Sequence, residues 1–238
     1  MGHGPRGLEI RHRGVHGHQV RLPRWNYLNC GGIHGPENLV RIDVDGRVCD
    51  GGNAEVNRAG FVIHSAIHAA REDAHCIMHV HTTAGCAVTC KEEGLRHDNF
   101  YSAMLYDDVA YHEYEGVTAN LDEQPRLVAS LGGRNHMILR NHGLLVPGPD
   151  LPTAFNRLWV LQRACEIQLA ADSGGGVNRS IPDEILRTLP ATRVAGRSDV
   201  NRRIFETLRA SRSLQQVLTR RRCSDRASFA TPSAKLSR

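Results

Sequence analysis

Two histidines one residue apart, His79 and His81, interrupt the apolar run HCIMHVHTTAG. In an extended strand, side chains at i and i+2 share a face, so these imidazoles project together, roughly 6 to 7 Å apart along the chain. Met78 and Val80 then turn to the opposite layer. Neutral imidazole ligates zinc, and also iron, copper or nickel, so the pair suits a divalent transition metal. The competing reading is two half-buried histidines satisfied by backbone or carboxylate partners. His75 has the same parity but stands at the far end of the strand, and reads as surface or as support behind the ligands.

A third imidazole comes from far along the chain. In RNHGLLV a polar corner separates two apolar runs and puts His142 at a strand end, where side chains are displayed into a cleft. Asn141 and Gly143 favour a tight turn, one through side-chain bonding and the other through permissive backbone angles. Three histidines with an open coordination position are what a catalytic divalent site needs. His112 in AYHEY and His136 read instead as structural or solvent-facing.

The elements that must position these residues follow from periodicity. NLVRIDVDGRVCDGG alternates like a strand, with Asp45-Gly46 as a hairpin turn. NRAGFVIHSAIHAARED sets Phe61, His64, Ile67, His68 and Ala70 at helical spacing. HCIMHV is the next strand. TTAGCAVTCKEEG reads as a short helix begun by a threonine cap and ended by Gly94. VAYHEYEG is a strand, LDEQPRLVASLGG a short helix closed by Gly132-Gly133, and HMILRNHGLLVPG two apolar strands around the corner. The longest helix starts at Asp150 with Pro152 in its first turn and closes at Gly174 to Gly176. Leu158, Leu161, Cys165 and Leu169 form its core face. Interleaved strands and helices predict a layered α/β domain.

At 238 residues the chain is long enough for one domain with a substantial core. The reading divides it into a divergent, poorly ordered segment (1–36), a main domain (37–197) and a basic helix with a disordered tail (198–238). Five histidines in the first segment, His3, His12, His16, His18 and His34, lack a fixed spacing. No apolar run approaches the ~20 residues that span a bilayer, and the basic N-terminus has no apolar stretch behind it to make a secretory signal. Seven cysteines without a CxxC pair fit a reducing, cytoplasmic compartment. The net charge of +5 gathers at the two ends, and arginine supplies nearly all of it, Lys91 and Lys235 being the lysines. Without aromatic interleaving or a nucleic-acid motif, this is a solvated end, and neither nucleic acid nor membrane is an expected partner.

AGFVIHSAIHAAREDAHCIMHVHTTAGCAVTC, VAYHEYEG and MILRNHGLLVPG followed by AFNRLWVLQRACEIQLAA together resemble the class II aldolase/adducin family over roughly residues 38–172. The resemblance implies a three-layer α/β/α sandwich, commonly a homotetramer with sites near subunit boundaries. It implies zinc, or another divalent transition metal, on the H-x-H pair and the histidine of N-H-G, which fall here on His79, His81 and His142. In the aldolases a glutamate at a helix start serves as ligand and acid/base, and in this register the position is Gly60. The AGF…HSAI form is that of adducin-like members. The Gly-Asn turn and Ser/Thr pairs that hold a substrate phosphate have no match in residues 1–37, so the N-terminal part reads as truncated or divergent.

The function implied is a divalent-metal-dependent aldehyde-lyase cleaving a carbon–carbon bond in a small hydroxy-carbonyl substrate without a phosphate. The competing function is a non-catalytic adducin-like assembly module with a retained or vestigial metal site. Asn141, Gly143 and Thr82 are the expected substrate contacts. Tyr101 and Glu113 are the first candidates for the proton shuttle, with Glu55 and Tyr111 behind them. A family tyrosine that donates protons would fall near Phe100 or Tyr101.

Overall fold

The computed structural model describes residues 20–23, 39–43, 45–49, 56–117, 120–192 and 199–210. Strands β1 (Val20–Pro23) and β2 (Leu39–Ile42) pair antiparallel, and Ile42 bridges onward to Val48 across the Asp45-Gly46 turn, where Gly46 has φ +85°. Helix α1 (Arg58–Ala70) is capped by Asn57, whose side chain accepts the Gly60 N–H at 3.1 Å. Strand β3 (Cys76–Val80) runs into helix α2 (Thr83–Thr89), capped by Thr82. Helix α3 (Phe100–Ala103), strand β4 (Val109–His112), helix α4 (Gln124–Leu131), and strands β5 (His136–Leu139) and β6 (Gly143–Gly148) follow. Helix α5 (Leu151–Ser173) starts on Asp150, which accepts the Thr153 N–H at 2.8 Å. Two single turns, α6 (Asp183–Leu186) and α7 (Leu189–Thr192), end the unit.

The main sheet has the order β3-β6-β5-β4, with β6 antiparallel to both neighbours and β4 parallel to β5. Strands β3, β5 and β4 therefore point the same way. The residues after β3, the β5–β6 corner and the end of β4 share one rim. Alternation sorts the strand side chains into two layers. Cys76, Met78, Val80, Ile138, Leu144 and Val146 pack against α5 and Val88 of α2. Ile77, Ala110, Met137, Leu139 and Leu145 pack against Ile63 and Ile67 of α1 and Leu127 and Leu131 of α4. This is a three-layer α/β/α sandwich. Each large aliphatic chain so buried contributes about 1.5–3 kcal/mol.

The structure departs from the sequence reading in four places. Helix α1 buries Val62 through His68 almost continuously, whereas Ala70 is exposed. The helix is covered from more than one side, since Phe61 packs with Val48 and Val56 around Ile42. Helix α2 stops at Thr89, and Gly94, at φ +65°, ends the turn beyond it. In α5, Ala154, Ala164 and Gln168 are buried with Leu158, Leu161 and Cys165, while Leu169 is half-buried. Strand β1 lies within the segment 1–36 that showed no period. A second unit begins at Arg197, and its described part is a helix over residues 199–210. The early histidine tract and the tail beyond residue 210 fall outside the described residues.

The starts of β4 and β5 are fastened by a buried carboxylate. Asp108 accepts from Asn135 N at 2.9 Å and Asn135 Nδ2 at 3.1 Å, and lies 3.3 Å from His136 Nδ1. Burial pushes its pKa up, but the bond and charge of His136 and the bonds from Asn135 outweigh that and hold it at about 2. A depressed folded-state pKa gives stability that is complete above the unfolded value near 4 and is lost as pH falls toward 2. Asp108→Asn should therefore lower the unfolding free energy at pH 7 by about 2 kcal/mol. Urea melts should also show a shallower loss between pH 4 and 2 than in the parent, and identical slopes would exclude a role for the charge.

Candidate metal centre

The β3–β6 register is what makes a site. Val80 pairs with Leu144 and His79 with Leu145, so the residues leaving β3 run beside those entering β6. His79, His81 and His142 meet there, with ring centroids 4.5, 4.8 and 4.7 Å apart. One ligand nitrogen from each ring lies within 4.8 Å of the others. Among the described residues no carboxylate or thiolate joins them in such a group. His79 is buried, His142 half-buried and His81 exposed, so the cluster opens to one side.

The donor set fits a divalent cation. The Leu144 carbonyl lies 2.9 Å from His79 Nδ1; since a carbonyl only accepts, Nδ1 carries the proton and Nε2 presents a lone pair. A metal-ligating histidine characteristically donates its other N–H to such a carbonyl. His81 Nε2 stands 2.7 Å from His79 Nε2. The separations, from 2.7 Å to at most 4.8 Å, bracket the ~3.3 Å between nitrogens sharing one tetrahedral zinc.

The corner bearing His142 is fixed through its backbone. Arg140 N donates to His112 O at 2.8 Å, Asn141 N to Thr89 O at 3.1 Å, and His142 N to Leu139 O at 3.1 Å. Asn141 sits at φ +55°, the left-handed value that the third residue of such a turn requires and that asparagine tolerates. The Arg140 guanidinium donates to Lys91 O at 2.7 Å and covers the Tyr111 ring at 4.4 Å. Gly143 is required for space: a Cβ there would lie 2.5 Å from Val80 O, 2.8 Å from His81 Cδ2 and 3.1 Å from His79 Cε1. The Cys86 thiol donates to His142 O at 3.1 Å, and burial pushes its pKa up, keeping the hydrogen in place.

The other expected site residues are distributed differently. Thr82 is half-buried; its hydroxyl donates to Gln162 Oε1 at 2.6 Å and caps Gly85 N at 3.1 Å. Asn141 is exposed beside the cluster, and His75 is exposed at the far end of β3. Tyr101 packs on the α5 side of the sheet, 5.5 Å from Trp159 by ring centroids, whereas His79 shares its face with Ile77 and the α1 side. Tyr111 is on that same α5 side; its hydroxyl accepts Leu95 N–H at 3.0 Å, and burial pushes its pKa up. Glu113 is exposed just past β4, three strand spacings or about 14 Å across the sheet from β3. Glu55 lies outside the described residues. The structure thus gathers the three histidines and leaves Tyr101, Tyr111 and Glu113 apart from them within one chain.

His112 and His136 are buried and engaged. His112 reaches Ser130 Oγ at 3.0 Å and Glu123 at 3.3 Å, and His136 reaches the Asp108 carbonyl at 3.2 Å. Gly60, which the resemblance places where the aldolases carry a glutamate, is buried in the first turn of α1, on the layer that His79 faces. Sequence reasoning did not single out Cys86 or the Leu144 carbonyl. Nothing in the sequence marks a backbone acceptor, and the cysteine sits in an ordinary short helix.

An imidazole triad on one rim of the sandwich is a candidate metal centre, and comparison with known proteins gives the family. Residues 28–169 match the model for the class II aldolase and adducin N-terminal domain, so the chain belongs to the class II aldolase and adducin family. It is 44% identical over 149 residues to a Pseudomonas aeruginosa protein described as "Putative aldolase class 2 protein", covering 63% of this chain and 58% of that one. It is 41% identical to mouse alpha-adducin over 151 residues, 61% of this chain and 20% of the adducin. The chain thus spans less than two thirds of these curated relatives. A crystal structure of an aldolase II superfamily protein from Pseudomonas syringae superposes with TM-score 0.75 at 34% identity, over 87% of this chain and 84% of that one. The L-fuculose 1-phosphate aldolase of Glaciozyma antarctica superposes at 0.65 with 26% identity, over 79% and 73%.

Gly143→Ala tests the close approach. The added methyl must displace either the Val80 carbonyl or the two rings. The variant should lose about 1–3 kcal/mol of stability and bind divalent metal at least about tenfold more weakly. Calorimetry and metal titration would measure both, and unchanged affinity would mean the corner has slack.

Proposed function

We propose that this chain is a divalent-metal-dependent aldehyde-lyase that cleaves a carbon–carbon bond in a small hydroxy-carbonyl compound, with zinc or a similar transition metal held by His79, His81 and His142. The convergence of the three imidazoles carries the reading. Membership of a family that includes an L-fuculose 1-phosphate aldolase supports it. A metal so bound supplies Lewis acidity, stabilising the negative charge that develops on a substrate carbonyl oxygen, an effect typically worth a few kcal/mol.

The chain's own residues do the positioning. The Leu144 carbonyl locks the His79 tautomer, and the turn at Asn141 holds His142. In this reading the exposed Asn141 amide hydrogen-bonds a substrate hydroxyl, and Gly143 leaves space against the rings. Thr82 serves the site by fixing the start of α2 against Gln162. Proton transfer is assigned to Tyr101 or Glu113 of a second copy in a homo-oligomer, since neither stands at the imidazoles of its own chain. Among the described residues, Cys49, Cys86, Cys90 and Cys165 form no disulfide, which supports a reducing, cytoplasmic setting. No described helix is long and apolar enough to cross a membrane.

Gly60 favours a second reading. It has no side chain to move a proton, so an adducin-like assembly module keeping the metal as a structural element is the alternative. Metal analysis of the purified protein, with and without chelation, followed by His79→Ala and a panel of hydroxy-carbonyl substrates, separates the two. The lyase reading expects near-stoichiometric metal that is lost in the variant, together with aldehyde release that chelation abolishes. Bound metal without turnover favours the module, and metal-free wild type would end the lyase reading.

A further inference from the structure

The end of α2 and the turn after it hold the corner bearing His142 at three points. Two are carbonyls: Thr89 O accepts Asn141 N–H at 3.1 Å, and Lys91 O accepts the Arg140 guanidinium at 2.7 Å. The third is a side chain, the Cys86 thiol, donating to the carbonyl of His142 itself at 3.1 Å. That oxygen belongs to the peptide joining His142 to Gly143. On its Gly143 side the peptide is packed so closely that a Cβ would fall 2.5 Å from Val80 O and 2.8 Å from the His81 ring. The Cys86 bond and this close packing together leave the peptide little room to turn.

We infer that Cys86 is a positioning residue for the metal centre: its S–H fixes the plane of the His142–Gly143 peptide and so the direction in which the His142 imidazole meets His79 and His81. The inference rests on the reading that these three imidazoles hold a divalent cation. Cys86 does not belong to the imidazole cluster, and it touches the backbone of His142. It acts through His142, as groups behind metal ligands generally do.

The test compares Cys86→Ala with Cys86→Ser in the full chain. The two side chains are close in size, and serine keeps a hydrogen-bond donor. Metal-free protein is titrated with Co(II), recording the dissociation constant and the visible absorption of the complex; thermal unfolding of the metal-free proteins is measured in parallel. Cys86→Ala should bind Co(II) about tenfold more weakly with an altered absorption band. Cys86→Ser should stay within about threefold of the parent, and the metal-free variants should melt within about 3 °C of each other. Cys86→Val, which fills the volume without a donor, replaces the alanine variant if that one does not fold. Equal Co(II) binding by the donor-bearing and donor-free variants overturns the role of Cys86 and leaves the metal reading standing. Failure of the parent to bind Co(II) overturns the metal reading and the inference with it.

Discussion

The antiparallel pairing of β3 with β6 is the constraint on which the site depends. It sets Val80 opposite Leu144, so the exit of one strand and the entrance of the other become neighbours although more than sixty residues separate them. The Leu144 carbonyl that fixes the His79 tautomer is a residue of that same register pair. A slip of β3 by one residue would turn His79 to the α5 side and move the other β3 side chains to the opposite layer. Register is held because both faces of β3 and β6 are buried, so hydrophobic burial on two sides of the sheet aims the imidazoles.

Much of this was legible in the chain itself. Period-two spacing put His79 and His81 on one face, and the Arg-Asn-His-Gly corner announced a turn between apolar runs. The cap at Asp150 and the break at Gly132 could be read because a capping oxygen and a left-handed glycine are local requirements. What stayed hidden was tertiary. The face of α1 was misjudged at Ala70 because a single-sided stripe is expected of a surface helix, whereas α1 is covered on further sides by the segment around Ile42 and Val48. Strand β1 is too short for alternation to show, and it forms against β2. The carbonyls of Leu144 and Thr89 carry no residue-type signal.

The corner illustrates how a side chain is held by backbone accounting. Each N–H from Arg140 to His142 has an acceptor, supplied by β4, by α2 and by the turn itself. Arg140 contributes twice more, through its guanidinium and its contact with Tyr111. A side chain rising from such a turn has little freedom left to lose on binding.

The imidazoles and the acidic position of the aldolases are carried by different elements. The three histidines belong to the sheet rim and are oriented by strand register, a turn and a glycine. The position occupied here by Gly60 belongs to the first turn of α1, where the residue's hydrogen-bonding duty is to give its N–H to Asn57. Any residue but proline can supply that N–H, so the cap needs no side chain at this position. An imidazole cluster on the rim and a side chain at the helix start are therefore separable in this fold. A chain can keep the first for reasons of packing and geometry whatever residue stands at the second.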